Sequence, residues 1–235
     1  MLRKCIRRLN RGYGVVPPAV LRRWWITLAA GLAAVFALTI ALTVIGQRMD
    51  RSGALDWEEP ALRGFVADAP VTFNTAIWMD AAGNGLVLWL GILTFAALAS
   101  WHGLALRALT LLVGFTAAYV PFVTGWLLWQ RARPLVVEGG IATPGALSSF
   151  PSGHVVQAVV AFGILAHLWA STSKSRGEAL LAGLIATAGV AAVVVARLRL
   201  GAHWPTDILA GAILGAAWLA VLLGALRRAE AGESG

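Results

Sequence analysis

The sequence predicts an all-α, polytopic membrane protein with six transmembrane helices. Three observations carry that expectation. First, 59% of the 235 residues are hydrophobic and only 13% are charged, with a mean hydropathy of +0.76. That is about half the charge of a soluble domain. Second, apolar stretches of spanning length, about 20 residues, recur along the chain. Third, the charges gather between those stretches. This composition argues against an ordinary cytosolic enzyme and against a disordered chain. Eleven tryptophans are too many for a linker or tail. In a soluble protein a formal charge of +8 and a pI near 11.2 would suggest nucleic acid. In a membrane protein the same excess more often records which loops face the cytoplasm.

The elements follow in order. Residues 24–46 carry no charge and follow a basic stretch of Arg3, Lys4, Arg7, Arg8, Arg11, Arg22 and Arg23. The apolar run is long and lacks a small-x-small cleavage site, so it reads as a retained first helix rather than a signal peptide. Residues 47–80 are polar and hold Asp50, Asp56, Glu58, Glu59, Asp68 and Asp80, with apolar residues such as Trp57, Leu62, Phe65 and Trp78 scattered among them. The expected structure there is one or two amphipathic helices lying on the interface. Between residues 81 and 130 the only charge is Arg107. Fifty residues exceed one span, and Ser100-Trp101-His102-Gly103 is a plausible turn, which gives helices near 84–101 and 105–129. A polar stretch follows, then a fourth helix over 152–171, a loop with Lys174, Arg176 and Glu178, a fifth helix over 179–196 and a sixth over 208–226. Within the sixth, Gly211 and Gly215 form a GxxxG step suited to close packing in lipid. The expected organisation is a basic cytoplasmic segment (1–23), one six-helix membrane domain (24–228) and a short cytoplasmic tail (229–235). A lone cysteine, Cys5, excludes an intramolecular disulfide and a cysteine-based metal site.

Six helices place both termini on one side. That side holds twelve Lys/Arg and three acids, a net +9; the other holds seven arginines and eight acids, a net −1. By the positive-inside rule the termini are expected in the cytoplasm, which leaves no call for nucleic acid as a partner. Four of the seven outer arginines, Arg131, Arg133, Arg197 and Arg199, flank the outer starts of the fourth and sixth helices. The rule disfavours cations there, so the two pairs suggest an anion site, with snorkelling to lipid phosphates as the alternative.

Three short segments fall on that same face: Arg131-Ala132-Arg133-Pro134, Phe150-Pro151-Ser152-Gly153-His154, and the run from Arg197 to Asp207. Ser152 is a good N-cap for the fourth helix, and Gly153 would let a ligand approach the backbone. The N–H groups of that helix start can bind phosphate, and His154 stands in its first turn. Pro205 fits the first turn of the sixth helix. A helical spacing of four would bring the Asp207 carboxylate near the His203 ring, fixing its tautomer and leaving the other nitrogen as base or nucleophile. Together these groups suit phosphoryl transfer: arginines and N–H groups hold the oxygens, one histidine attacks and the other protonates the leaving oxygen. A two-metal site would need clustered carboxylates, and the motif segments with the stretch between the first two offer only Asp207 and Glu138, so no metal or other cofactor is expected.

At these residues the sequence resembles the type 2 phosphatidic acid phosphatase (PAP2) superfamily, which includes bacterial lipid phosphatases. Its signature is K-x6-R-P, then P-S-G-H, then S-R-x5-H-x3-D. Arg133-Pro134 matches the end of the first part, Pro151 to His154 the whole of the second, and Arg197, His203 and Asp207 the third at the right spacing. The resemblance implies His203 as nucleophile, Asp207 orienting it, His154 as general acid, and Arg133, Arg197, Ser152 and Gly153 as phosphate ligands. There are two departures. Trp126 stands where the first-part lysine belongs, and Ala196 replaces the serine before Arg197. The first removes a phosphate-binding cation, for which Arg131 is the candidate substitute. His102 and His167 fall toward the other side and read as structural.

The resulting expectation is a metal-independent hydrolase in the inner (cell) membrane. It would act on a lipid phosphate or pyrophosphate of the undecaprenyl pyrophosphate, phosphatidic acid or phosphatidylglycerol phosphate class, through a phosphohistidine, with its site facing the periplasm or exterior. A lipid phosphotransferase using the same site stays open, and so does a non-catalytic lipid-phosphate binder, which Trp126 favours. Oligomeric state is not legible in the sequence.

Overall fold

The computed structural model describes residues 7, 10, 12, 14, 16–69, 71–142 and 148–231. Cys5 and the basic residues Arg3, Lys4, Arg8 and Arg11 lie outside the described residues. From Pro18 onward the described chain forms nine helices: α1 (Pro18–Arg51), α2 (Glu58–Asp68), α3 (Phe73–Ala82), α4 (Gly85–Trp101), α5 (Ala105–Ala117), α6 (Tyr119–Leu128), α7 (Gly153–Thr172), α8 (Arg176–Arg199) and α9 (Pro205–Ala231). Six stretches are long and apolar enough to cross a membrane: Pro18–Arg51, Phe73–Trp101, Ala105–Leu128, Gly153–Thr172, Arg176–Arg199 and Pro205–Ala231. The protein is an all-helical, multi-pass membrane protein.

Two of these stretches are broken for identifiable reasons. Pro121 has no N–H to give the carbonyl one turn earlier, and the helix is interrupted at Ala118, between α5 and α6. Gly83 and Asn84 separate α3 from α4, and the Asn84 side chain caps the new helix by accepting from Leu86 N at 2.9 Å. The second stretch therefore begins eleven residues before the expected position 84. Residues 73–80, expected on the interface, open that span instead. Their Asn, Thr and Asp residues depress local hydropathy, but Asp80 is satisfied inside the protein, as described below. Among the helices described from Pro18 onward, α2 alone lies outside the six stretches.

The outward faces are apolar, as a lipid solvent requires. Trp78, Leu86, Leu90, Leu127, Leu180 and Leu209 are all more than half exposed. The core lies between α1, α5, α7 and α9, where Trp24, Leu111, Phe115, Ile164, Leu214, Trp218 and Leu222 are buried. Away from water, a buried indole N–H must find an internal partner. Trp24 donates to Thr110 Oγ1 at 3.1 Å and Trp218 to the Gly114 carbonyl at 2.7 Å. The small-residue face expected on the sixth spanning helix is used against α7. A Cβ on Gly211 would stand 2.7 Å from the Ser152 carbonyl oxygen, and one on Gly215 would stand 2.9 Å from Val159 Cβ. That close approach brings the starts of α7 and α9 together, which is what the site needs.

Candidate active site

The end of α8 and the start of α9 form one turn, and its geometry follows from the sequence. Gly201 takes a left-handed φ of +62°. Its N–H bonds the Leu198 carbonyl, and the Ala202 N–H bonds the Arg197 carbonyl, which is the Schellman pattern of a helix ending on glycine. Arg197 and Arg199 occupy the last turn of α8, where the helix dipole favours cations. The reversal drives His203 into the protein with a side chain only 1% exposed. Pro205 then opens α9, as expected for a first-turn proline. Asp207, in the first turn of α9, reaches back to accept from Trp204 N at 2.8 Å.

Main-chain hydrogen bonds tie the three motif segments together. Ser152 N donates to the Asp207 carbonyl at 3.0 Å, and Ser149 N donates to the Arg131 carbonyl at 2.9 Å. Arg133 Nη1 donates to the Ala202 carbonyl at 3.0 Å. His154, partly buried in the first turn of α7, lies within electrostatic reach of Arg197, Asp80, His203 and Arg133. Motif residues separated by up to 76 positions thus share one site.

His203 is oriented differently from the simple spacing argument. Its Nδ1–H donates to the Ser149 carbonyl at 2.8 Å, while the nearest Asp207 oxygen is 3.7 Å away. A backbone carbonyl can only accept, so it fixes the proton on Nδ1 and leaves Nε2 with a free lone pair. Burial pushes the His203 imidazole down to about 4. The Arg197 and Arg133 charges push the same way, and Asp207 opposes them. The ring is neutral near pH 7, as a nucleophile must be.

Asp207 is fully buried and held from both sides. Oδ1 accepts from Arg131 Nη1 at 2.6 Å; Oδ2 accepts from Ser149 Oγ at 2.7 Å and from Trp204 N. Arg131, the candidate substitute for the missing lysine, has its terminal nitrogens committed elsewhere. Nη1 serves Asp207 and Thr206 Oγ1, and Nη2 pairs with Glu58. Burial alone would lower its pKa, but Asp207 and Glu58 more than offset that and raise it. Its guanidinium also lies over the Trp129 and Trp204 rings, at 4.9 and 5.6 Å. Arg131 sits where it braces Asp207.

The other arginines that the positive-inside rule left unexplained are also held. Arg197 Nη1 donates to both oxygens of Asp80, at 3.0 and 3.1 Å, and Arg199 Nε donates to the Val71 carbonyl at 3.2 Å. Burial and the neighbouring Arg197 charge lower the Arg133 pKa. Glu58 and Asp80 come from the stretch read as polar surface, and neither was among the expected site residues. Their signal was indirect: acids on the same side as arginines that needed partners. Ser149 gave no signal beyond lying next to a motif, and Thr206 none beyond lying within one.

Two buried side-chain atoms lack a hydrogen-bond partner among the described residues, Ser152 Oγ and Arg197 Nε. Both residues were expected to bind phosphate. Ser152 stands at the N-cap of α7, as expected, but its hydroxyl makes no cap bond. Buried polar atoms are rarely left so. Gly153 has a packing reason as well, since a Cβ there would lie 3.0 Å from the Phe122 ring. Trp126, at the lysine position, donates Nε1–H to the Pro151 carbonyl at 3.1 Å and packs on Phe122 with ring centroids 4.9 Å apart. It shores up the Pro151–His154 turn and brings no charge. Ala196 is fully buried. His102 is exposed at the end of α4, and His167 lies among Arg107, Arg227 and Glu230, away from this constellation.

A family profile for the PAP2 superfamily matches residues 106–230, which include all three motif segments. The chain belongs to the PAP2 superfamily. The chain also resembles the solved structure of a transmembrane PAP2-type phosphatidylglycerolphosphate phosphatase from Bacillus subtilis, with a TM-score of 0.67 at 20% identity over 82% of this chain and 94% of that one. At that identity the likeness is one of fold. No curated protein matches this chain. Within this PAP2 chain, Glu58 and Asp80 lie before the matched region yet contribute their carboxylates to the site.

Proposed function

We propose that this PAP2 protein is a membrane-embedded lipid phosphatase that works through a phosphohistidine. The observation that carries the reading is a pair of buried groups with no hydrogen-bond partner among the described residues, Ser152 Oγ and Arg197 Nε, together with a histidine whose Nδ1 is held by a carbonyl, which leaves the Nε2 lone pair for attack. A phosphate is the ligand that satisfies both groups, because its oxygens accept from a hydroxyl and a guanidinium together. Arg133 and the first N–H groups of α7 add donors for the remaining oxygens.

The chemistry follows. His203 Nε2 attacks phosphorus, and the bond to the lipid oxygen breaks. His154 gives that oxygen its proton. The phosphorylated ring keeps Nδ1–H on the Ser149 carbonyl and carries a positive charge, which the nearby Asp207 carboxylate stabilises. Water then attacks phosphorus, His154 takes its proton, and phosphate leaves with His203 restored. No metal enters any step. The substrate class is a lipid phosphate or pyrophosphate, with its head group at the membrane–water interface and its tail in the bilayer. The charge asymmetry supports cytoplasmic termini and a site facing the periplasm or exterior of an inner or cell membrane.

Purified protein should release phosphate in EDTA from phosphatidic acid, phosphatidylglycerol phosphate or undecaprenyl pyrophosphate, and His203→Ala should abolish release. Activity surviving that substitution would sink the mechanism. Trp126 favours a second reading, a non-catalytic lipid-phosphate binder, because it replaces a cation with a neutral group. Binding of those lipids without turnover would favour the binder.

A further inference from the structure

The two carboxylates that precede the matched region differ in what they touch. Asp80 pairs with Arg197 and is 19% exposed. Glu58 is buried to 1% exposure and is woven into the catalytic segment. Its Oε1 accepts from Thr206 N at 2.9 Å and from Thr206 Oγ1 at 2.8 Å, and its Oε2 pairs with Arg131 Nη2. Thr206 Oγ1 also accepts from Arg131 Nη1 at 2.9 Å, and that same nitrogen holds Asp207. Glu58, Arg131 and Thr206 thus close a ring that ends on the carboxylate beside His203.

A buried ion pair is a poor device for stability alone, because desolvating its charges costs as much as their attraction returns. Here the pairing has an electrostatic consequence. Arg131 carries one positive charge and faces two carboxylates. With Glu58 ionised, the group of three is net negative, and Asp207 presents its charge to the His203 ring. Without Glu58, Arg131 and Asp207 cancel, and that negative charge disappears at the moment the ring becomes positive.

We propose that Glu58, delivered by α2, is a positioning residue for the reaction: through Arg131 it fixes Asp207 and leaves that carboxylate free to stabilise the phosphorylated His203. The proposal rests on the phosphatase reading above. It differs from a structural role because the interaction strengthens only as the ring gains charge, so it acts on kcat and not on substrate binding.

The test uses the full chain in detergent micelles, with whichever lipid phosphate the wild type hydrolyses fastest. Glu58→Gln keeps an acceptor for Thr206 and removes the charge. Its kcat should fall on the order of tenfold with KM within about twofold. Glu58→Asp keeps the charge on a shorter arm and should exceed Glu58→Gln in kcat. Adding formate to Glu58→Ala should recover activity that equal chloride does not. Unchanged kcat in Glu58→Gln, or a better rate for Gln than for Asp, would overturn the proposal, as would a loss confined to KM or to thermal stability. Should Glu58→Gln fail to fold, Glu58→Asp decides: kcat within about threefold of wild type supports the role of charge, and a tenfold loss at unchanged stability overturns it. A wild type that hydrolyses none of the lipid phosphates overturns the phosphatase reading itself, and the proposal with it.

Discussion

The Nδ1 of His203 lies 2.8 Å from the Ser149 carbonyl oxygen and 3.7 Å from the nearest oxygen of Asp207. The carbonyl therefore sets the tautomer, and the carboxylate acts through its charge and its hold on the turn. Asp207 receives donors from Arg131, Ser149 and Trp204. Asp207→Asn places an NH2 group among those donors and leaves Arg131 with one carboxylate instead of two. Breaking one partner out of a buried ion pair costs about 3–5 kcal/mol. The variant should lose thermal stability as well as activity, measured as Tm in detergent beside phosphate release. Loss of activity at unchanged Tm would show that Asp207 is not a structural tie.

Ser152→Ala should behave in the opposite way. The hydroxyl is buried with no hydrogen-bond partner among the described residues. Removing it relieves a desolvated polar group instead of breaking a bond, so Tm should stay level or rise slightly. Phosphate release should fall by about tenfold, the worth of one hydrogen bond made to a charged oxygen. Arg197→Lys keeps the charge and loses Nε, and should weaken inhibition by vanadate, a phosphate mimic, by a similar factor. A Ser152→Ala protein with full activity would remove the hydroxyl from the phosphate site.

The contrast between Asp207 and Glu58 marks what the sequence could reveal. The spans, the GxxxG face and the three motif segments were legible because each is a local pattern: a run of apolar residues, a spacing, a cap. His203, Asp207, Arg133, Arg197, Ser152, Gly153 and His154 were candidates on that basis, and the fold brings their three segments together. The partners were not legible. Glu58 lies 73 positions from Arg131 and Asp80 lies 117 from Arg197. In sequence each is one acid among several in a polar stretch, and only packing shows which arginine it meets. The same stretch concealed the start of the second span, because Asn74, Thr75 and Asp80 lower its hydropathy. The tautomer holder is a main-chain carbonyl, which carries no residue signature at all.

The pH dependence of stability has a definite sign. Folding lowers the His203 pKa from its ordinary value near 6.5 to about 4. Between those values the unfolded chain binds a proton that the folded protein does not. The contribution of neutral His203 is therefore complete above about pH 6.5 and is lost as pH falls toward about 4. His203→Gln cannot titrate. Wild-type Tm should decline more steeply than that of His203→Gln between pH 6.5 and pH 4, and the two curves should run parallel above pH 7. Parallel curves throughout would mean that His203 titrates alike in the folded and unfolded chains.

Trp126 offers the last prediction, because it stands where the family signature has a lysine. Its indole holds the Pro151 carbonyl at 3.1 Å and packs on Phe122, directly behind the turn that carries Ser152 and His154. Trp126→Phe keeps most of the packing and drops one hydrogen bond, which should cost about 1–3 kcal/mol because the buried carbonyl loses its partner. Trp126→Lys loses the ring packing as well and should be the less stable of the two. It should also be less active than the wild type, although it restores the signature, because the turn it would support has been built around an indole. Phosphate release and Tm, measured for both variants against the wild type, check the order. Higher turnover in Trp126→Lys would mean that the site still has room for the missing cation, and that the tryptophan is a tolerated departure rather than a supporting part of the turn.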